Sequence, residues 1–312
     1  MILTTEAYEI STPSLPIVRI DRVPLFDVNK VFDCGQCFRF DKVEDSIHEA
    51  EYAGVAHGKY ISVAQDGDSI TVYNSTLEEY EQIWKHFLGL DRDYERINST
   101  LLSLSDNPSL ADAIDRSSGI RILKQEPWEA ICSFIISQNN NIPRIKKLVS
   151  ALSLRCGERV SLEGMEAHIA PSHKDNEGNF YSFPSPDMIK PLGIEGLAEL
   201  KTGFRAKYIY DACEKMLSGE IDLDLLSKSS TDACIEHLCR VKGIGVKVAS
   251  CALLFGFEKL DAFPVDVWIK KVIAKYFNED FDHRLLGEYA GIAQQYLFYY
   301  ERYLQSNGEE KS

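Results

Sequence analysis

The stretch LCRVKGIGVKVASCALLFGFEKLDAFPVDVWIKKVIAKY, residues 238–276, determines how the rest of the chain is interpreted. In it, Gly243-Ile244-Gly245 separates two apolar segments of helical periodicity, and Lys247 begins the second segment. Glycine adopts tight turns, and the first amides of a helix have no partner inside it, so such a junction suits a phosphate group. Asp266 follows in Pro264-Val265-Asp266-Val267, ahead of another helical run. The combination indicates chemistry on the backbone or sugar of a nucleic acid.

The same junction predicts a helix-hairpin-helix motif over residues 231–255. We expect helices over residues 231–241 and 247–255, joined by a turn at residues 242–246. In this arrangement the backbone amides of Gly243, Gly245 and Val246 would meet a DNA phosphate. Two glycines between helices are weak evidence alone, and the lysine and aspartate that follow strengthen it.

The charge distribution favours a nucleic-acid partner although the whole chain is acidic. The formal net charge is −14, which by itself argues against binding to phosphates. Residues 137–156 carry +4, residues 200–208 carry +3 and residues 239–276 carry +4, so the remainder carries −25. Because charges beyond a Debye length of about 8 Å are screened, a local basic face can still bind DNA. The alternative is that these basic side chains are merely solvated on helix surfaces.

Residues 1–105 are predicted to form a domain with an antiparallel sheet. Short β-rich runs alternate with turn-forming residues such as Asp66-Gly67, which is the pattern of a meander. We expect strands at residues 36–40, 51–55, 60–63 and 69–73, followed by an amphipathic helix over residues 76–88.

Residues 106–305 have helical periodicity and are predicted to form a second, mainly α-helical domain. One helix covers residues 127–137 and starts with a proline, and another covers residues 206–217 and ends before Gly219. Residues 157–186 are rich in Gly, Ser, His and Asn and are predicted to be a surface excursion between helices. Residues 306–312 are predicted to be a disordered tail. The fold class is therefore α+β, with a domain boundary near residue 105.

Composition bounds the class of protein. A hydrophobic content of 45% and a charged content of 26% are ordinary for a globular protein. No apolar run reaches the roughly 20 residues of a membrane span, and the first residues lack the basic-then-apolar pattern of a signal peptide. Eight cysteines scattered over the chain are typical of a reduced, intracellular protein. Cys34 and Cys37 form a single pair without recognised ligand spacing elsewhere, so we expect no metal site.

Four motifs together with the hairpin resemble the helix-hairpin-helix base-excision DNA glycosylases, and within them the 8-oxoguanine DNA glycosylase branch. The resemblance covers residues 30–300, and its motifs are Gly35-Gln36-Cys37-Phe38-Arg39, Asn139-Asn140-Asn141-Ile142-Pro143-Arg144-Ile145, Gly203-Phe204-Arg205-Ala206-Lys207-Tyr208 and Ala290-Gly291-Ile292-Ala293-Gln294-Gln295-Tyr296-Leu297-Phe298. It implies an N-terminal sheet like that of the TATA-binding protein, followed by an α-helical HhH-GPD catalytic domain. It also implies a bifunctional enzyme that flips 8-oxoguanine opposite cytosine out of duplex DNA, excises it and nicks the strand.

By this resemblance Lys247 is the nucleophile and Asp266 its electrostatic partner. A neutral lysine amine attacks C1′ of the sugar and forms a Schiff base, which permits β-elimination. The apolar surroundings of Val248-Ala249-Ser250-Cys251 disfavour the charged amine. From position alone, Lys247 could instead contact a phosphate, and Asp266 could serve as a helix N-cap. Trp268 stands where the family often has a histidine, which argues against a histidine contact to phosphate there.

The resemblance also implies a pocket for the flipped base. Its members are Gly35, Cys251, Gln294 and Phe298. The Gly35 carbonyl would accept the N7–H that only the oxidised base carries, and Gln294 would bind the Watson–Crick edge. Cys251 and Phe298 would enclose the ring, although without the resemblance both would be assigned to the core.

A second group would contact the cytosine that the flipped base leaves behind. Its members are Asn139, Arg144, Phe204 and Arg205. Phe204 would be the wedge that buckles the duplex, and the others would fill the gap and bind the acceptors of the cytosine. The alternatives are a core aromatic for Phe204 and solvated side chains for the arginines.

No cofactor is required by this interpretation. The resemblance allows a monovalent or calcium ion at the hairpin carbonyls, and no cysteine follows Cys251, so we expect no iron–sulfur cluster. The expected partner is double-stranded DNA containing 8-oxoguanine, and we expect a monomer with no membrane association. Its location would be the cytoplasm and nucleoid in a prokaryote or the nucleus in a eukaryote. The alternative functions are a glycosylase for another damaged base and a non-catalytic DNA-binding protein.

Overall fold

The N-terminal part of the chain folds into a six-stranded antiparallel sheet with strand order β1-β2-β6-β5-β4-β3. The computed structural model describes residues 6–10, 15–277 and 281–306, with residues 303–306 described by their backbone only. The strands are β1 Glu6–Ile10, β2 Ile17–Asp21, β3 Phe40–Lys42, β4 Ala50–Ala56, β5 Lys59–Asp66 and β6 Ser69–Tyr73. Strands β3 to β6 form consecutive hairpins, and β2 lies against β6 with Val18 opposite Val72.

Helices form most of the remainder of the described chain. They are α1 Val28–Asp33, α2 Leu77–Glu79, α3 Lys85–Phe87, α4 Tyr94–Leu104, α5 Pro108–Arg116, α6 Pro127–Ser137, α7 Ile142–Cys156, α8 Pro186–Ile189, α9 Gly193–Glu199, α10 Ala206–Leu217, α11 Leu223–Lys228, α12 Thr231–Leu238, α13 Val246–Gly256, α14 Val267–Tyr276 and α15 Ala290–Ser306. A π-helical segment, Tyr80–Trp84, joins α2 to α3, and short 3-10 helices cover Lys190–Leu192, Gly203–Arg205 and His283–Tyr289. An antiparallel sheet followed by helices confirms the predicted α+β class.

Predicted helices agree best with the structure where their ends carry local signals. Helices α6 and α10 have the predicted bounds, because Pro127 occupies the first turn of α6 and Gly219, with φ 77°, follows α10. The helical segment that begins at α2 has a capping box in which Thr76 and Glu79 each bind the backbone amide of the other.

The strand predicted at residues 36–40 is wrong, because only Phe40 of these residues lies in a strand. The buried Gln36 side chain instead bonds to the backbone of two other segments of the chain. Its Nε2 donates to the carbonyls of Val31 and Arg121 at 2.8 Å each, and its Oε1 accepts from the Leu123 amide at 2.9 Å. These bonds hold residues 34–37 in the interior, between the sheet and the helices. Elements β1, β2 and α1 have no counterpart among the predicted elements.

Residues 157–185, here called the strap, cover one face of the sheet. Met165 and Phe180 of the strap are fully buried. The Phe180 ring centroid lies 4.6 Å from that of Tyr60, whose hydroxyl donates to the His168 carbonyl at 3.1 Å. Strand β5 carries buried apolar side chains on both faces, so the sheet needs cover on the side opposite α1 as well. The prediction of a surface excursion is therefore wrong for the apolar residues of the strap.

One helical core crosses the predicted domain boundary near residue 105. It contains Tyr94 and Leu101 of α4 together with Ile131 of α6 and Leu253 of α13. The boundary itself stays a prediction. Of the tail predicted at residues 306–312, Ser306 ends α15, and residues 307–312 lie outside the described residues.

Phe180→Ala is expected to lower the free energy of unfolding by about 3–5 kcal/mol, the usual cost of removing a fully buried aromatic ring. Ile47→Ala is the matched control, because Ile47 is 91% exposed and exposed substitutions usually change stability by less than about 0.5 kcal/mol. Urea denaturation followed by tryptophan fluorescence measures both variants. Equal unfolding midpoints for the two would contradict the packing of the strap on the sheet.

Candidate active site

The hairpin consists of α12, a tight turn over residues 239–245, and α13. Helix α12 ends at Leu238 and not at residue 241 as predicted, because the chain tightens into successive short-range bonds. The Val241 amide donates to the Leu238 carbonyl and the Ile244 amide to the Val241 carbonyl, both at 3.0 Å. Gly243 has φ +79°, and a Cβ placed there would lie 2.3 Å from the ring of Tyr208. Both its conformation and this close approach require glycine.

Helix α10 braces the hairpin turn through Asp211. The Asp211 carboxylate accepts from the Lys242 amide at 2.8 Å and pairs with Lys242 Nζ at 3.0 Å. Burial works against the ionised form of Asp211, but the Lys242 amide and ammonium outweigh it and lower the pKa of Asp211. Sequence reasoning missed Tyr208 and Asp211, and the only signal for them is their helical spacing after Phe204.

The N-terminus of α13 presents backbone amides to open space. No side chain among the described residues caps this helix, whose N-cap residue is Gly245. A Cβ on Gly245 would have no described heavy atom within 4 Å, and Val246 is 64% exposed. The partial positive charge of these amides is therefore directed at a surface that an anion can reach.

Lys247 lies in the first turn of α13, half-buried, with its Nζ 5.9 Å from the ring centroid of Phe134. Cys251 is one helical turn further along and is buried. Burial raises the pKa of the Cys251 thiol, the positive charge of Lys247 opposes that rise, and the negative charge of Asp266 adds to it. Lys247 and Asp266 therefore both lie close enough to Cys251 to influence its thiol.

Asp266 is the N-cap of α14. Its Oδ1 accepts from the amides of Trp268 at 2.9 Å and Ile269 at 2.8 Å. Both bonds use the same oxygen, and no hydrogen bond from a described residue occupies Oδ2. The cap fixes the carboxylate while leaving one oxygen for a second task. The Nζ of Lys271 lies 5.0 Å from the centroid of the Trp268 ring.

Gly35 and Phe298 meet although they are far apart in the chain. Gly35 has φ +84°, and a Cβ placed there would lie 3.9 Å from Phe298 and 3.2 Å from Ile142. The Gln295 side chain, on the same helix as Phe298, donates to the Cys34 carbonyl at 2.9 Å and ties α15 to this loop. Two of the four predicted pocket residues are therefore neighbours, and the loop between sheet and helices supplies one of them.

Gln294 precedes Phe298 by one helical turn and is buried. Its Oε1 has no hydrogen-bond partner among the described residues. A buried acceptor without a partner costs about 1–3 kcal/mol, so such a group in a folded protein calls for a functional explanation. This amide oxygen is suited to receive an N–H group of a ligand.

Phe204 is exposed to the extent of 47%, so the alternative of a core aromatic is wrong. It lies in the 3-10 helix Gly203–Arg205, and its ring meets that of Tyr208 edge-on at a centroid distance of 5.8 Å. An exposed phenylalanine held by a second aromatic ring has the form of a wedge.

Arg205 is buried, so the alternative of a solvated side chain is wrong for it. Its Nε donates to the Gln138 carbonyl at 2.9 Å and its Nη2 to the Asn139 carbonyl at 3.0 Å, and its Cζ lies 4.4 Å from the centroid of the Phe204 ring. Burial lowers the pKa of Arg205, and the positive charge of Arg144 lowers it further. Asn139, with φ 48°, and the exposed Arg144 therefore lie beside Arg205 and Phe204, as one group.

Fewer basic side chains are available to DNA than the charge count of the sequence indicates. Lys146 Nζ binds the Asp41 carboxylate at 2.6 Å and the Phe40 carbonyl at 2.8 Å, so it anchors α7 to the edge of the sheet. Lys242 is paired with Asp211, as described above. Local acids therefore neutralise part of the positive charge that the sequence predicts for DNA.

Within the described ranges, no group of three or more His, Cys, Asp or Glu side chains is placed to hold a metal ion. Among the same residues, no helix is both long and apolar enough to span a membrane.

Family models assign the two parts of the chain to one class of protein. Residues 18–131 match the N-terminal domain of 8-oxoguanine DNA glycosylase, and residues 132–284 match the HhH-GPD superfamily of base excision DNA repair proteins. The hairpin lysine and the capping aspartate lie within the second match. Fold and site thus define a base excision DNA repair enzyme of the helix-hairpin-helix class.

Individual relatives narrow the class to a family. A chain described as MBOgg1 in complex with a low affinity DNA ligand is 35% identical, with a TM-score of 0.83 and coverage of 97% of this chain and 100% of that one. The 8-oxoguanine glycosylase/lyase of Clostridium acetobutylicum, in complex with double-stranded DNA containing cytosine opposite to 8-oxoG, is 33% identical, with a TM-score of 0.81 and coverage of 97% and 98%. The N-glycosylase/DNA lyase OGG1 of Arabidopsis thaliana is 28% identical over 295 residues, 86% of this chain and 75% of that protein. The chain belongs to the 8-oxoguanine DNA glycosylase family.

Gly243→Ala and Gly245→Ala are expected to have different effects. At Gly243 a methyl group meets the Tyr208 ring and φ is positive, so we expect a loss of about 1–3 kcal/mol in the free energy of unfolding. At Gly245 the conformation is extended and the space is open, so stability should change by less than about 1 kcal/mol while affinity for duplex DNA falls. Thermal unfolding and fluorescence anisotropy measure the two quantities. Equal destabilisation by both substitutions would contradict the geometry of the turn.

Proposed function

We propose that this protein is a bifunctional DNA glycosylase and lyase that excises 8-oxoguanine opposite cytosine through a Schiff base on Lys247. The observation that carries the proposal is the position of Lys247, half-buried in the first turn of the second hairpin helix and one turn before the buried Cys251, together with Asp266 as the N-cap of the next helix. The relatives named as N-glycosylase/DNA lyase and 8-oxoguanine glycosylase/lyase support the same activity.

The hairpin would bind the DNA backbone. Amides at Gly245 and Val246 face open space, where they can donate to a phosphate of the damaged strand. This contact would position the sugar of the flipped nucleotide next to Lys247, one residue further along α13. The same helix start thus binds the backbone and presents the nucleophile.

Lys247 and Asp266 carry out the chemistry. Lys247 Nζ attacks C1′ as the bond to the base breaks, and the base leaves with a proton. Opening of the C1′–O4′ bond then gives an iminium, and loss of a proton from C2′ expels the 3′ phosphate by β-elimination. Positive charge develops on the sugar as the base leaves, and Asp266 Oδ2 can stabilise it because the cap bonds use only Oδ1.

The pocket around Gly35 selects the base. The Gly35 carbonyl would accept N7–H of 8-oxoguanine, where ordinary guanine has a lone pair. The unpartnered Gln294 Oε1 would accept an N–H of the Watson–Crick edge, and Phe298 would lie against the ring. Opposite, Phe204 would enter the duplex beside the cytosine, with Asn139, Arg144 and Arg205 close behind it.

Further expectations accompany this proposal. The protein acts as a monomer inside the cell, needs no cofactor and carries no iron–sulfur cluster. A monovalent or calcium ion at the hairpin carbonyls would strengthen phosphate binding without taking part in the reaction.

Borohydride trapping tests the nucleophile. Wild-type protein mixed with an 8-oxoguanine·cytosine duplex and reductant is expected to form a covalent adduct, and Lys247→Gln should lower its yield by at least ~10²-fold, the scale of losing a catalytic group. Lys228→Gln, at an exposed lysine that ends α11, is the matched control and should trap as wild type does. No adduct with wild type would exclude the Schiff-base mechanism and leave a non-catalytic DNA-binding protein, and an adduct with Lys247→Gln would exclude Lys247.

Arg144→Gln tests the reading of the opposite base. Loss of one charge-assisted hydrogen bond to cytosine should reduce the preference for cytosine over adenine opposite the lesion by on the order of 10-fold. Arg155→Gln, at an exposed arginine in the last turn of the same helix, should leave the preference unchanged. Single-turnover excision rates on the two duplexes give the preference. An unchanged ratio for Arg144→Gln would remove this residue from the opposite-base group.

A further inference from the structure

A positively charged side chain lies at the wall of the lesion pocket and has no role in the scheme above. Gln294, Phe298 and Arg302 follow one another at intervals of four residues along α15, so they share one face of that helix. The face that carries the two predicted base contacts therefore continues to Arg302.

The geometry places the guanidinium beside Gly35. A Cβ on Gly35 would lie 3.7 Å from Arg302 Nη1, between the contacts to Ile142 and Phe298. The Cζ of Arg302 lies 5.5 Å from the centroid of the Phe298 ring, within the range of a cation–π contact. Burial raises the pKa of the neighbouring Cys34 thiol to about 12, and the Arg302 charge is among the groups that oppose the rise. The two distances thus locate this charge at the loop that would meet the flipped base.

The chemistry of a guanidinium limits what it can bind here. Arginine has donors only and stays protonated, so its partner in the pocket must be an acceptor. With N7–H of 8-oxoguanine on the Gly35 carbonyl, the two atoms that flank N7–H and accept hydrogen bonds are O8 and O6. A donor adjacent to Gly35 is therefore adjacent to one of these oxygens.

We propose that Arg302 is a specificity-determining residue, which donates a hydrogen bond to the exocyclic oxygen beside N7–H of the flipped 8-oxoguanine. This inference rests on the proposed function, since it uses the same pocket and the same orientation of the base. It adds a charged donor to a recognition set that otherwise contains a carbonyl, an amide and apolar side chains. If the acceptor is O8, this donor favours the oxidised base over guanine, because guanine has no oxygen there; if it is O6, the bond orients the base in the pocket.

Single-turnover kinetics on two substrates test the inference. Arg302→Gln should slow excision from an 8-oxoguanine·cytosine duplex by on the order of 10- to 100-fold, the effect of one charge-assisted hydrogen bond. Nicking of a duplex with a preformed abasic site should stay within about 2-fold of wild type, because no base occupies the pocket. Arg302→Lys should give an intermediate excision rate. Arg96→Gln, at an exposed arginine of α4, is the control for loss of an arginine and should match wild type on both substrates.

The outcomes separate this inference from the proposed function. Equal losses on both substrates would mean that Arg302 acts on the DNA backbone or on the fold, and an unchanged excision rate would mean that it does not contact the base. Either result overturns the inference. If wild type neither excises nor traps, the proposed function itself fails.

A binding measurement then identifies the oxygen. The affinity for duplex DNA is measured for Lys247→Gln and for the double variant Lys247→Gln, Arg302→Gln. The duplexes contain 8-oxoguanine or 8-oxoadenine. The second lesion keeps O8 but has an amino group in place of O6. A loss of affinity for both lesions supports a bond to O8, and a loss for 8-oxoguanine alone supports a bond to O6. Unchanged affinity for both overturns the inference.

Discussion

The hydrogen bonds of Gln36 are the interaction on which the site depends. Its side-chain amide binds the backbone of Val31, Arg121 and Leu123. Its backbone carbonyl accepts from the Gln125 side chain at 2.8 Å. A buried amide whose donors and acceptor are all used has a single favourable orientation. That orientation holds the adjacent Gly35 at the junction of the sheet and the helices. The N-terminal part therefore contributes to the candidate site, whose proposed nucleophile belongs to the helical part.

The sequence predicted elements whose determinants are local and missed those whose determinants are tertiary. Helices α6 and α10 have the predicted ends because a proline and a glycine mark them. Residues 36–40 have the β propensity of a strand, but the Gln36 side chain binds the backbone of other segments, and its own backbone carbonyl accepts from the Gln125 side chain. The strap has the composition of a loop, and only the apolar second face of the sheet explains why Phe180 is buried. Such requirements arise between segments and leave no local periodicity.

The residues of the candidate site also divide into those with local sequence signals and those that depend on tertiary contacts. Lys247 and Asp266 could be singled out from the hairpin and the N-cap alone. Gly35 and Phe298 could be paired only through the family resemblance, because their contact joins the sheet part to α15. The exposure of two side chains distinguishes between alternatives that the sequence left open. Phe204 is exposed, as a wedge must be, and Arg205 is buried against backbone carbonyls. Tyr208 and Asp211 escaped prediction because their contacts with the hairpin turn depend on how α10 packs.

The proposed pocket would also distinguish the two bases at N7, where 8-oxoguanine carries a hydrogen and guanine a lone pair. With ordinary guanine, the Gly35 carbonyl would face the N7 lone pair, and two acceptors would oppose each other in a site of low dielectric constant. A site built to bond an N–H rejects the analogue that lacks it because its own polar group then loses a partner. Gln294 Oε1, which has no hydrogen-bond partner among the described residues, would bind the Watson–Crick edge, which guanine and 8-oxoguanine share. In the proposed scheme, discrimination at N7 therefore depends on the Gly35 carbonyl, because Gln294 would bind either base.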